Sequence, residues 1–154
     1  MISPTVRVQA VPFDATREEA LLTQGRRDVG ALVTFTGLCR DEDGALAALE
    51  IEHYPGMAEE EIARVANDAA ARWPVLGLTI VHRFGVIRPS DKIVLVVVAA
   101  RHRGDAFSAA EFLMDYLKTR APFWKKEHRA DGAQAGWVEA KAADDAAAER
   151  WKPD

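Results

Sequence analysis

The chain has 154 residues, 49% of them hydrophobic and 29% charged, which is typical of a globular protein with a hydrophobic core. Its net charge of −4 at neutral pH argues against a general nucleic-acid binder, because such proteins need an excess of basic surface. The longest apolar run, from Ile93 to Ala100, is far shorter than the roughly 18 residues that a membrane-spanning helix needs.

The first half of the chain predicts three strands and two helices. Thr16–Glu19 has the pattern of a capping box and begins a short helix that ends near Gly25. Asp41–Gly44 contains an Asp-Gly pair, which favours a hairpin turn. Met57–Trp73 has apolar residues at a helical period, and Pro74 ends this helix. β-Branched and apolar residues predict the strands Thr5–Val11, Gly30–Leu38 and Leu46–Tyr54.

The second half predicts further strands around one long helix. That helix covers Ala106–Arg120 and ends there because Ala121 precedes a proline, which disfavours the helical conformation. A nearly continuous apolar run in one strand indicates a central position covered on both faces. The residues after the last strand predict a helix or a loose tail beginning near residue 141. The predicted strands are Leu78–Phe84, Lys92–Ala100, Phe123–His128 and Trp137–Ala140.

This order of elements predicts an α+β fold. Strands alternate with helices, yet hairpins are also implied, so we expect a mixed or antiparallel sheet with helices packed on it. The sequence contains no internal repeat and no linker of low complexity. Residues 1–154 are therefore expected to form a single domain.

The cysteine and histidine residues favour a reducing compartment and argue against a metal site. Cys39 is the only cysteine, so no intramolecular disulfide can form, and with no secretory signal visible we expect a cytoplasmic protein. The four histidines lack the spacing of known zinc motifs, and no glycine-rich nucleotide loop is present. We therefore expect neither a metal nor another cofactor.

Basic residues are concentrated near the C-terminal end of the long helix. The segment from Arg101 to Arg129 has seven basic and four acidic residues, a balance of +3, whereas the rest of the chain has a balance of −7. Within it, Lys118–Glu127 places four cations beside Pro122, Phe123 and Trp124. A local cationic zone on an acidic protein favours a small anionic ligand or an acidic chain end over a long polyanion.

Lys118 and Lys125 are the candidate catalytic residues. They lie on either side of Pro122, where a chain reversal can bring both side chains into one pocket. Two close ammonium groups lower each other's pKa, and a neutral lysine can act as a nucleophile or a general base. Lys126, next along the predicted strand, should point to the opposite face. The alternative is a helix end whose basic residues only complement the helix dipole.

Two other positions are candidate anion-binding sites. His102 and Arg103 follow the central strand and precede the long helix, where side chains can bind phosphate. Arg40 ends the strand that contains Gly37 and could clamp an anion at the following turn. Solvated loop and strand-end residues are the alternatives at both positions.

Five motifs occur in order along the chain, namely Glu52–Ala58, His82–Gly85, His102–Arg103 with Ala106–Phe107, Asp115–Lys118 and Ala121–Glu127. Together they resemble the MoaE family, the catalytic large subunit of molybdopterin synthase. The likeness extends from about Val6 to Trp151. Arg101 and Cys39 depart from the small and aliphatic residues common in the family, but no matched functional residue is lost.

The resemblance implies an α/β hammerhead fold and a homodimer that forms a heterotetramer with a small ubiquitin-like carrier ending in Gly-Gly. It implies transfer of sulfur from the carrier's C-terminal thiocarboxylate to cyclic pyranopterin monophosphate, which yields the dithiolene of molybdopterin. Lys118 and Lys125 match the family's functional lysines. The matched substrate-binding positions are Arg40, His102, Arg103, Phe35 and Met114. Arg40 is our candidate for a group contributed across the dimer.

Two other functions remain possible from the sequence. A non-catalytic α+β module could use the same lysines only to dock an anion or an acidic peptide tail. An RNA-binding domain could stack bases on Phe123 and Trp124, although the acidic total disfavours it. Product formation separates the enzyme from the first alternative, and the salt dependence of single-strand binding tests the second.

Overall fold

The structure, a computed structural model, describes residues 2–132, 134–138 and 142–152. These residues form eight strands and four helices, which confirms the predicted α+β class. In chain order the elements are β1 (Thr5–Gln9), α1 (Ala15–Thr23), β2 (Ala31–Leu38), β3 (Leu46–His53), α2 (Met57–Arg72), β4 (Val75–Arg83), β5 (Gly85–Ile87), β6 (Lys92–Ala100), α3 (Arg103–Arg120), β7 (Phe123–Arg129), β8 (Gln134–Val138) and α4 (Ala142–Glu149). Of the predicted last strand, Glu139 and Ala140 lie outside the described residues.

The strands form two four-stranded sheets. The first sheet has the order β1-β4-β6-β2, in which β1 and β4 are parallel and the other pairs are antiparallel. The second sheet has the order β5-β3-β7-β8 and is antiparallel throughout. β6 lies between β4 and β2 and is buried on both faces, as its apolar sequence predicts.

The helices cover the first sheet, and a smaller core joins it to the second. Apolar residues of α2 and α3, such as Ile62 and Leu113, pack against one face of β4 and β6. α1 covers the opposite face through Leu22. Where the sheets meet, a separate cluster contains Cys39, Ile51, Ile87, Ile93 and Val94.

The predicted hairpin at Asp41–Gly44 is wrong. Asp43 and Gly44 do adopt the left-handed conformations of a tight turn, with φ of 57° and 72°. The flanking strands nevertheless belong to different sheets, since β2 pairs with β6 and β3 pairs with β5 and β7. Backbone hydrogen bonds between Cys39 and the turn residues Ser90 and Asp91 hold the end of β2 instead. The chain therefore crosses from one sheet to the other at this turn and opens a space between them.

The predicted capping box of the first helix is also wrong. Asp14 is the N-cap, and its carboxylate accepts a hydrogen bond from the backbone N–H of Arg17 at 3.2 Å. Thr16 lies inside the helix and is not its N-cap, and the carboxylate of Glu19 instead accepts a hydrogen bond from the hydroxyl of Thr34 at 2.7 Å. The helix therefore begins earlier than the predicted box, with Asp14 as its cap.

The C-terminal helix α4 packs on α3. The indole N–H of Trp151 donates to the carboxylate of Asp115 at 2.6 Å, and the Trp151 ring contacts Phe112 and Trp73. Of the two predicted alternatives for this segment, the helix is therefore observed. None of the described helices is both long enough and apolar enough to cross a membrane.

Candidate active site

A two-part cavity lies where the ends of β2, β3, β7 and α3 meet. We call it the lysine cavity. Its outer compartment has a volume of about 980 Å³, and its inner compartment has a volume of about 110 Å³. The compartments are adjacent because they share lining residues, namely Phe35, Gly37, Leu38, Ile93, Lys118 and Lys125.

Lys118 and Lys125 reach this cavity from two successive elements. α3 ends at Arg120, and Ala121 is already extended, with φ of −65° and ψ of 126°. This conformation follows from Pro122, which excludes helix at the preceding residue. β7 then runs back along β3, with Lys125 opposite Ile51. The chain reversal predicted from the sequence thus brings both lysines to one site.

The two lysines differ in their exposure. Lys125 is half-buried, whereas Lys118 is exposed at the edge of the cavity. The exposure of Lys118 follows from its position in the last turn of α3. Any further desolvation of its amino group has to come from a molecule that covers the cavity.

Lys126 lies on the opposite face of β7, as the alternation of side chains along a strand predicts. Its ammonium group is 5.7 Å from the centre of the Trp137 ring, outside the lysine cavity. Two lysines adjacent in sequence therefore have different surroundings, and Lys126 is a natural control for Lys125.

The inner compartment is apolar apart from three nitrogen-bearing side chains. Phe35 and Met114 line it at the predicted pocket positions, together with Ile93 and Leu117. Lys118, Lys125 and His82 are its ionisable residues, and no carboxylate is among its described lining residues. This compartment fits the small end of an anionic ligand.

His82 was missed as a site residue in the sequence. It appeared only within a family motif, in the predicted strand Leu78–Phe84. The structure leaves His82 with 7% exposure, and burial lowers the pKa of its imidazole to about 4, with a smaller contribution from the positive charge of Lys125 and Lys118. A single histidine in a buried apolar strand was the available signal.

The outer compartment has mixed charge. Arg40 lines it, and its guanidinium forms an ion pair at 3.0 Å with Glu42, with both side chains more than 70% exposed. An exposed pair of this kind contributes little stability, so Arg40 is available to an anion. Three acidic residues for which the sequence predicted no role also line this compartment, namely Asp43, Glu127 and Asp144. The basic Arg129 lines it as well.

The structure does not bring His102 and Arg103 to the lysine cavity of the same chain. His102 is the N-cap of α3, and Arg103 is its first residue. The 18-residue helix rises 1.5 Å per residue, so Arg103 and Lys118 are about 22 Å apart along its axis. Both side chains are exposed.

Cys39 lines the outer compartment but is buried. Burial raises the pKa of its thiol, and the nearby Asp91 and Asp41 raise it further. A thiol held in its protonated form is a poor nucleophile. Among the described residues, no cluster of His, Cys, Asp and Glu is arranged to hold a metal ion.

Comparisons with known proteins address the resemblance inferred from the motifs. The model of a family described as MoaE protein matches residues 8–120. The chain belongs to the MoaE family. The family membership predicted from the motifs is thereby confirmed.

Similarity to individual MoaE proteins extends over nearly the whole chain. A relative from Mesorhizobium japonicum, named molybdopterin synthase catalytic subunit, is 66% identical over 152 residues, which covers 99% of this chain and 96% of that protein. The solved MoaE protein from Burkholderia ambifaria MC40-6 superposes with a TM-score of 0.82 at 49% identity, and the match covers 96% of this chain and 97% of that one.

A more distant structure shares the fold. It is a protein–protein complex of subunits 1 and 2 of molybdopterin-converting factor from Helicobacter pylori 26695. The TM-score is 0.67 at 22% identity, and the match covers 89% of this chain and 90% of that one.

Proposed function

We propose that this protein is the catalytic subunit of molybdopterin synthase. It transfers sulfur from the thiocarboxylated C-terminus of a small ubiquitin-like carrier to cyclic pyranopterin monophosphate and so forms the dithiolene of molybdopterin. Membership of the MoaE family and the high identity to a relative with that name support this function. In the structure, one observation carries it: Lys118 and Lys125 share a narrow compartment that opens into a much larger one.

The dimensions of the two compartments suit the two substrates. A Gly-Gly chain end has no side chains and is narrow enough for the inner compartment of about 110 Å³. The outer compartment of about 980 Å³ has room for a fused-ring substrate and its phosphate. There Arg40 would bind the phosphate, since a guanidinium binds two phosphate oxygens at once.

The sulfur comes from the carrier, so this subunit needs no reactive thiol. The carrier's sulfur forms a bond to a carbon of the pterin precursor while a carbon–oxygen bond at that carbon breaks, and the oxygen leaves as water or as a phosphate oxygen. The bond between this sulfur and the carrier's acyl carbon then breaks, and the sulfur stays on the pterin as a thiolate. The acyl carbon receives the oxygen of water, and the carrier leaves as a carboxylate. Lys118 acts at that acyl carbon, as a base for the water or as a transient nucleophile that water later replaces.

Lys125 assists this step as a neighbouring cation. Its ammonium group stabilises negative charge that develops on the acyl oxygen, in a compartment with apolar walls where such an interaction is strong. The docked carrier covers Lys118 and removes water from it. The free enzyme therefore keeps an exposed lysine, and the complex provides the burial that the reaction needs.

We also propose a homodimer that binds one carrier per subunit, as a heterotetramer in the cytoplasm. His102 and Arg103 are too far from Lys118 to contact the same substrate within one chain. A second copy is the natural source of these two side chains, because a twofold dimer presents each surface to its equivalent. Arg40 lines the cavity of its own chain and does not have to come from the partner.

The decisive experiment measures carrier binding and product formation separately. Lys118→Ala and Lys125→Ala should bind the carrier but lose at least about 100-fold in turnover, the size expected for loss of a general acid or base. Lys126→Ala is the matched control, because it removes a lysine from the outer face of the same strand, and it should retain activity. Wild-type turnover by Lys118→Ala would exclude Lys118 as the essential residue.

The same experiment tests the non-catalytic alternative. A module that only docks an acidic tail would bind the carrier and yield no dithiolene with the wild-type protein. Product formed by the wild-type chain from thiocarboxylated carrier and precursor excludes that alternative.

A further inference from the structure

His82 is a buried histidine in the lysine cavity to which the proposed reaction assigns no role. It belongs to β4 and lines the inner compartment together with Lys118 and Lys125. A buried polar side chain needs a hydrogen-bond partner for each of its polar atoms. The partner of one ring nitrogen is visible, whereas the other nitrogen has none among the described residues and is not fully buried, so it remains accessible from the cavity.

The imidazole of His82 is held in a fixed orientation. Its ring stacks on Phe123, with centroids 3.8 Å apart and an angle of 12° between the planes. Nδ1 lies 2.8 Å from the carbonyl oxygen of Arg83. Because a carbonyl oxygen can only accept, Nδ1 carries the hydrogen, and Nε2 has the lone pair.

The neighbouring strand end prevents the ring from moving away. The Arg83 guanidinium donates hydrogen bonds to the carbonyl oxygens of Ala10 and Lys92, at 2.9 and 3.2 Å. These bonds fix the end of β4 and with it the carbonyl that holds Nδ1. The ring edge with Nε2 is thus left for the cavity, and within the described residues Nε2 has no hydrogen-bond partner.

The imidazole is neutral at physiological pH and therefore remains an acceptor. Lys118 from α3, Lys125 from β7 and His53 from β3 are the charged or titratable groups around it, and all three disfavour a positive charge there. Its partners in the first sheet, Val8 of β1 and Val94 of β6, are uncharged. The inner compartment thus combines two cationic donors with one neutral acceptor.

This combination complements the end of a peptide chain. A C-terminal residue has one N–H donor, followed by a terminal group of negative charge. The lysines suit the negative group, and a neutral acceptor suits the N–H. A volume of about 110 Å³ and walls of Phe35, Val94 and Met114 leave space for a residue without a side chain.

We propose that His82 determines specificity for the carrier tail by accepting, at Nε2, a hydrogen bond from the backbone N–H of the carrier's terminal glycine. This role rests on the proposed function, since it requires a carrier that ends in this compartment. His82 fixes the position of the terminal carbonyl relative to Lys118 and takes no proton in the reaction.

A double-mutant cycle between the protein and the carrier tests this hydrogen bond. The protein variants are His82→Phe, which keeps an aromatic ring on Phe123, and His82→Gln, which keeps an acceptor. The carrier variant has glycolic acid in place of its last glycine, so that an ester oxygen replaces the N–H. The dissociation constant is measured with carriers that end in a carboxylate, which bind without reacting.

We expect His82→Phe to weaken binding of the normal carrier by roughly tenfold, the size of one buried hydrogen bond. The glycolic acid carrier should lose a similar amount with the wild-type protein and lose little more with His82→Phe. His82→Gln should recover most of the affinity for the normal carrier. His53→Phe is the matched control, because His53 also contacts Phe123 but does not line the cavity, and it should bind as the wild type does.

Additive losses in the cycle, or no loss for the glycolic acid carrier with the wild-type protein, would overturn the role of His82. If His82→Phe does not fold, the comparison of the two carriers on the wild-type protein and on His82→Gln still decides the question. Failure of the wild-type protein to bind the Gly-Gly carrier at all would instead refute the proposed function.

Discussion

The two ends of α3 carry matched family residues in contrasting surroundings. At the C-terminal end, Lys118 lines a cavity with Lys125 and His82. At the N-terminal end, His102 and Arg103 are exposed, and their side chains have no hydrogen bond or ion pair within the described part of the chain. One end is built into a cavity by its own chain, while the other projects into solvent.

This difference shows how one helix can serve two sites. The C-terminal end is followed by a proline-enforced reversal, so the chain itself supplies the second wall of the cavity. The N-terminal end follows the central strand directly, and no later segment folds over it in the described structure. Residues at such an end can act only on a molecule that approaches from outside. A twofold dimer is the simplest arrangement in which both ends contribute to one reaction.

The largest expected effect is recovery of activity when two inactive variants are mixed. Lys118→Ala and Arg103→Ala should each be inactive as homodimers. In a mixed dimer, one site has both substitutions and the other has neither, so activity returns after subunit exchange. The measurement is turnover of the mixture compared with the separate variants.

A second pair of variants is the control for this complementation. Lys118 and Lys125 line the same cavity of one chain. In a mixed dimer of Lys118→Ala and Lys125→Ala, every site therefore lacks one of the two lysines, and the mixture should stay inactive. If the first mixture also stays inactive, although mass spectrometry shows mixed dimers, the two ends of α3 do not share a site.

Much of the fold could be predicted from local patterns. β6 and α2 follow from an apolar run and a helical period, and the end of α3 follows from Pro122. The hairpin at Asp41–Gly44 could not be predicted correctly, because the turn chemistry is the same whether or not the flanking strands pair. Their assignment to different sheets depends on contacts with β6 and β7, which are distant in the sequence.

The site was predictable where it depends on covalent geometry and not where it depends on packing. The reversal at Pro122 brings Lys118 and Lys125 together, and strand alternation separates Lys125 from Lys126. The position of His82 beneath these lysines results from its stacking on Phe123, a contact between strands of different sheets. The exposure of Lys118 likewise depends on how far α3 extends beyond the core, which no local pattern determines.

The second prediction concerns how the free energy of unfolding depends on pH through His82, which lines the lysine cavity. The pKa of His82 falls from 6.5 to about 4 on folding, so the unfolded chain binds more protons between these values. The free energy of unfolding should therefore decrease as the pH falls from 6.5 toward 4, and His82 alone accounts for about 3 kcal/mol of this decrease. Denaturant unfolding of the wild type and His82→Gln across this range measures the effect.

His82→Gln should have the smaller pH dependence, because glutamine does not titrate. His102→Gln, at the exposed end of α3, is the control for loss of an imidazole as such. Parallel curves for the wild type and His82→Gln would show that His82 does not carry this pH dependence.

The prediction with the smallest expected effect compares substitutions of one glycine near each end of α3. Gly37 lines both compartments, and a Cβ there would lie 2.7 Å from Cγ1 of Val94. Gly37→Ala should therefore lower the free energy of unfolding by about 1–3 kcal/mol through overpacking and narrow the inner compartment. Gly104→Ala meets nothing within 4 Å at the second residue of α3, so it should stabilise the protein by roughly 0.4–1 kcal/mol, because alanine loses less backbone entropy than glycine on folding. Denaturant unfolding should give changes in the free energy of unfolding of opposite sign for the two variants. Equal stabilities would mean that β2 shifts beside the lysine cavity with no loss of free energy.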